Sequence, residues 1–175
     1  MQIADNQQLL ELEPVSASST LFDVAQNLKE IAARYDVQLE LDIAGSQLPV
    51  MANKAALNSA LLSLCTAYIE AQSPVVDTGK VQTLTLATHR VKSGIVAGIY
   101  SDSEVISIKQ LRRAFELHSH NARQPFLQLS STSAAGLFVA RNLLQAMSGD
   151  LKTIRHHRRS GLAAILQPSR QLELV

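Results

Sequence analysis

The chain has 175 residues, 46% of them apolar and 18% charged. That is enough for one domain with a sizeable core, and too apolar for a disordered or fibrous protein. A net charge of +1 excludes a global pull onto nucleic acid or membrane, yet it hides a division: residues 1–77 carry ten acids against three bases (−7), and residues 78–175 five acids against thirteen bases (+8). A single cysteine, Cys65, excludes an internal disulfide and a four-cysteine zinc site; within an apolar helical pattern it reads as a buried, inert thiol. Met1 to Asn6 show no signal-peptide pattern, and no apolar run reaches the roughly 20 residues of a spanning helix. The expectation is a cytoplasmic domain with no membrane segment in this chain.

In chain order, residues 8–13 alternate Leu10 and Leu12 with Glu11 and Glu13 and are closed by Pro14, the pattern of a short edge strand. Thr20 with Asp23 resembles a capping box. Leu21, Val24, Ala25, Leu28, Ile31 and Ala32 then recur at helical spacing, which predicts a helix from about Ser19 to Tyr35. Val37, Leu39, Leu41 and Ile43 alternate with Gln38, Glu40 and Asp42, a strand with one buried and one wet face. Ala44-Gly45-Ser46 reads as a turn and Leu48 to Met51 as a strand fragment. Asn53 caps a second helix, whose stripe of Leu57, Ala60, Leu61, Leu64, Cys65, Tyr68 and Ile69 runs to Ala71. Gln72 to Lys80 is a loop.

Val81–Val91 and Gly94–Tyr100 predict an antiparallel hairpin. Ser107 opens a short basic helix containing Arg112 and Arg113, and His118 to Ser131, with Pro125, reads as a loop. Ser133 caps a third long helix that stops at Gly149. Two strands, about Leu151–His156 and Leu162–Gln167, close the chain around Arg158-Arg159-Ser160-Gly161. This order predicts a single domain over residues 1–175, an α/β two-layer sandwich with helices on one face of a mixed, largely antiparallel sheet.

Several segments in this order resemble the ATP-binding domain of sensor histidine kinases, a branch of the GHKL ATPases with the Bergerat fold. Leu9 to Val15 resembles the strand that follows the dimerisation helices of such kinases. Leu39-Glu40-Leu41-Asp42 and Pro49 to Asn53 resemble the strand and start of the asparagine-bearing helix, and Leu61 to Ala67 takes the place of its asparagine motif. Tyr100-Ser101-Asp102-Ser103-Glu104 falls at the first glycine motif, Ala134 to Ala140 at the second, and Gly161 to Leu166 at the closing strand. The family's dimerisation helices would precede Leu9, where only eight residues stand, and they are expected to be absent from this chain.

The resemblance assigns the nucleotide cleft to Ser63, Ala67, Glu70, Asp102, Arg112, Arg123 and Gly136. Most of these depart from the family. Ala67 stands where an asparagine holds magnesium, which demands oxygen ligands, and Glu70 stands where a basic residue is common. Asp102 matches the aspartate that reads adenine, with Ser101 as the alternative register, but no glycine follows it. Only Gly136 is left of the pair that brings backbone amides to phosphate at a helix start. The resemblance thus implies a divergent domain of a signalling protein, impaired in magnesium–ATP phosphoryl transfer, with no catalytic residue or metal ligand assigned. ATP or ADP would be a weak ligand, magnesium an unsuited one, and the work that of a nucleotide-sensing or protein-interaction module for a receiver or regulator domain.

Two alternatives stay open: an active, atypical ATPase or kinase using Asp102, Gly136 and the arginines Arg112, Arg113 and Arg123 of the segment that corresponds to the family's lid, and a nucleic-acid-binding module using the basic second half at Arg155, Arg158 and Arg159. The basic run from Lys152 to Arg159 lacks interleaved aromatics and reads equally as a solvated hairpin tip. His118-x-His120 lacks a third metal ligand, and His89 reads as a surface or sheet residue.

Overall fold

The computed structural model describes residues 10–43, 45, 47–72, 81–102, 106–120 and 131–170, with side chains described outside 117–120 and 131–132. Strand β1 (Glu13–Ser16) pairs antiparallel with β3 (Pro49–Ala52) in a two-stranded sheet. It starts later than the alternation suggests and contains Pro14, which a strand with a free edge tolerates because the missing N–H has no ladder partner to lose. Helix α1 (Ala17–Arg34) begins two residues before the predicted start, because Ser16 Oγ accepts the Ser19 amide and caps it. Thr20, read as the cap, instead donates its hydroxyl to the Ser16 carbonyl.

Strand β2 (Val37–Ile43) follows, then helix α2 (Lys54–Ala71), where Asn53 Oδ1 accepts the Ala56 amide as the sequence predicts. The hairpin of β4 (Gln82–Val91) and β5 (Gly94–Ser101) also matches. Helix α3 (Ile108–His120) is longer than expected and opens with a reciprocal cap: Ser107 Oγ accepts the Gln110 amide and Gln110 Oε1 accepts the Ser107 amide. Helix α4 (Ser131–Ala146) already contains Ser133, so Ser133 is not its cap. At its end the left-handed residue is Ser148 (φ 59°), not Gly149; Gly149 is small because the Ile165 carbonyl of the last strand lies against it.

Strands β6 (Asp150–His156) and β7 (Arg159–Leu166) are joined by a two-residue turn, His157-Arg158, with φ 48° and 66°, rather than by the predicted Arg158–Gly161 turn. Positive φ at both central residues is the geometry that matches strand twist. Gly161 is needed inside β7, where a side chain would collide with the Ile99 carbonyl and the Tyr100 ring.

The main sheet has the order β2-β4-β5-β7-β6, with only β2–β4 parallel. Its inner face (Leu84, Leu86, Ile95, Ala97, Ile99, Leu162, Ala164, Leu166) shares one core with α1, α2 and α4, whereas Ala87, Val96, Tyr100 and Ala163 form a separate cluster on the outer face. This is the expected two-layer α/β sandwich. Helix α2 is central, buried at Ala56, Leu57, Ala60, Leu61, Leu64, Cys65, Ala67, Tyr68 and Ile69. Leu41, read as a core position, is 46% exposed because β2 is an edge strand that the helices cover only in part. No helix among the described residues is long and apolar enough to cross a membrane.

Candidate functional site

The residues that the resemblance assigns to a nucleotide cleft fall into three places. Ser63, Ala67 and Glu70 recur along one side of α2 and face α4. Gly136 packs over the Ser63 carbonyl, where an added Cβ would stand at 3.7 Å, an ordinary contact. Ala67 is 2% exposed, with Ala134 and Leu137 of α4 also buried. At the end of this seam Ser133 donates its hydroxyl to Glu70 Oε2 at 2.8 Å. Ser133 lies in the first turn of α4, so a carboxylate of the chain itself is held beside the helix end whose dipole attracts anions.

A second polar group closes the sheet side of α2. The Tyr68 hydroxyl donates to the Ser160 carbonyl at 3.1 Å and bonds Ser101 Oγ at 2.8 Å. With its one proton so used, it accepts from Ser101. Tyr68 is 1% exposed and Ser101 4%. Strand alternation therefore turns Ser101 towards the helices and Asp102 to the outer face. There Asp102 Oδ1 meets Arg159 Nε at 3.3 Å, and Arg159 donates to Thr85 Oγ1 at 2.8 Å. The Asp102 side chain is 87% exposed, so this pair is a surface contact.

Arg112 belongs to a third place, a cavity of about 470 Å³ between α3, α4 and β6, lined by Leu111, Phe115, Phe138, Arg141 and Leu151 among others. Arg141 there stacks over the Phe115 ring at 4.2 Å. Arg123 lies outside the described residues, as do Ser103 and Glu104. The structure brings Ser63, Ala67, Glu70 and Gly136 together, and it places Asp102 and Arg112 apart from them. Of the basic hairpin residues, Arg155 and Arg158 are exposed and Arg159 is engaged by Asp102 and Thr85.

Sequence reasoning missed Tyr68 as a polar partner, because it lies in an apolar stripe where its hydroxyl carries no pattern, and it read Ser133 as a helix cap rather than as the partner of Glu70. It also left Cys65 as an inert thiol, and here the structure agrees: Cys65 is fully buried, and burial pushes its thiol far up from its ordinary value.

Neither family models nor curated sequences give a match to this chain. Solved structures do. The nucleotide-free catalytic domain of histidine kinase ThkA superposes with a TM-score of 0.63 over 90% of this chain and 96% of its own, at 15% identity. Histidine kinase AdeS of Acinetobacter baumannii gives 0.62 over 95% and 72%, at 16% identity. Full-length ShkA in complex with AMPPNP gives 0.66 over 91% of this chain and 32% of its own, at 14% identity. At these identities the likeness is one of fold. The chain is thus a divergent domain with the fold of histidine kinase catalytic domains.

Proposed function

We propose that this chain is a histidine-kinase-type ATPase domain of a signalling protein whose magnesium–ATP chemistry is impaired, and that it works by protein interaction. The Glu70–Ser133 contact carries this reading. A triphosphate needs amides, cations and a magnesium ligand at the α2–α4 seam. The seam presents a carboxylate at the helix start and, at Ala67, a buried methyl that cannot coordinate. Repulsion by Glu70 adds to the absence of an oxygen ligand at Ala67, so the donor set does not suit magnesium–ATP and no phosphoryl-transfer step runs through it. Nucleotide would be a weak ligand, and the partner is a receiver or regulator domain, in keeping with the signalling setting of the kinases that share the fold.

Isothermal titration with ATP and ADP, each with and without magnesium, tests the reading. The expected result is no saturable binding in the micromolar range and no gain on adding magnesium. Micromolar, magnesium-dependent binding overturns it.

A further inference from the structure

On the outer face of the sheet, Asp42 of β2, His89 of β4, His156 of β6 and His157 of the last turn converge. β2 and β6 are the two opposite edges of the five-stranded sheet, yet its coiling brings His156 Nε2 to 3.8 Å from Asp42 Oδ2. The His89 ring stacks on His156 at 3.9 Å with planes 8° apart, and the His157 ring lies 4.0 Å from His156. One ligand atom from each of Asp42, His156 and His157 stands within 4.8 Å of the others.

We propose that Asp42, His156 and His157 bind a divalent transition-metal ion of the zinc class, which ties the two edges of the sheet together across its outer face. Consecutive residues of a strand point to opposite sides, but the left-handed φ of 48° at His157 breaks the alternation and sets two successive imidazoles side by side. Two imidazoles and one carboxylate form a borderline donor set that suits zinc and its neighbours rather than magnesium or calcium, and leave a fourth position for water. The parallel stack of His89 on His156 disfavours charge on both rings, and a neutral ring keeps a lone pair for a metal. Arg159, on the same face, pairs with Asp102.

Metal–nitrogen bonds of about 2.0–2.1 Å require tetrahedral ligand atoms about 3.4 Å apart, so the site closes by about 1 Å through side-chain rotation. His89 is a positioning residue: its ring braces His156, and its own Nδ1 is buried without a hydrogen-bond partner.

The test is titration of the full chain with zinc chloride at neutral pH, followed by calorimetry, with cobalt(II) absorption reporting ligand geometry. One ion per chain, a raised melting temperature and a tetrahedral cobalt spectrum are expected. His118 and His120 are a competing pair, so a His118→Ala/His120→Ala variant serves as control and should bind as before. His156→Ala and His157→Asn should each weaken binding at least ~10-fold. Asn accepts the left-handed turn position, so the second variant decides the matter if the first loses its circular-dichroism spectrum. The absence of saturable binding overturns the proposal, as does binding that survives His157→Asn or disappears in the His118→Ala/His120→Ala control.

Discussion

The two faces of the five-stranded sheet handle polar groups in different ways. On the helix side, Tyr68, Ser101, Glu70 and Ser133 are buried or half-buried and satisfy one another within the chain. On the outer side, His89, His156, His157 and Asp42 crowd together with weaker pairing, a 3.8 Å contact and stacked rings. The contrast is instructive because most of the residues that the resemblance assigns to a nucleotide cleft lie on the helix side. Here Tyr68, Ser101, Glu70 and Ser133 are paired within the chain, whereas the cluster of imidazoles with spare ligand capacity lies on the other side.

The largest expected effect comes from breaking the helix side. Tyr68→Ala removes one of the two largest fully buried side chains and the hydroxyl that joins α2 to β5 and β7. It should lower stability by about 3–5 kcal/mol in urea denaturation, in line with other large-to-small aromatic truncations. A loss below about 1 kcal/mol would mean that the seam is looser than described.

Alkaline pH probes both faces at once. Burial raises the Cys65 thiol on the helix side from its ordinary 9.0, and burial raises the Tyr100 phenol on the outer side from 10.0. Below pH 9 both states keep these protons and stability is unaffected by them. Above it the unfolded chain releases protons that the folded chain retains, so stability falls as pH rises, by up to about 1.4 kcal/mol per pH unit for the thiol. Cys65→Ala should remove the part of the slope that begins near pH 9 and leave the part that begins near pH 10, as read from denaturation curves at stepped pH.

The smallest effect sharpens the reading of Gly136. If this glycine survives only as part of a helix, replacing it should help, since a Cβ there meets the Ser63 carbonyl at an ordinary 3.7 Å. Gly136→Ala is expected to raise stability by about 0.5–1 kcal/mol, the usual gain for glycine to alanine within a helix. A destabilised variant would show that the backbone at Gly136 needs freedom that the seam does not explain.

Much of the fold was legible before any coordinates. The alternation from Val37 to Ile43, the Asn53 cap and the stripe from Leu57 to Ile69 are local signals, and each reports a periodicity or a cap that neighbours in sequence create. Boundaries failed where two caps competed or where a glycine served packing rather than a turn: Ser16 overrode Thr20, Ser148 took the conformation expected of Gly149, and Gly161 served Tyr100. The candidate cleft was legible on α2, where Ser63, Ala67 and Glu70 share one side at helical spacing. Its completion was not, because the Ser133 partner lies 63 residues from Glu70.

What local pattern settled was the type and order of the elements, along with the scarcity of glycine, since hydrophobic period, capping and turn chemistry act over a few residues. What depended on the tertiary structure was which polar groups meet. Strand parity sent Asp102 to Arg159 on the outer face and Ser101 to Tyr68 on the inner one. Sheet coiling joined Asp42 of the acidic half to His156 of the basic half across 114 positions, a contact that no sequence spacing encodes because it depends on the twist summed over five strands.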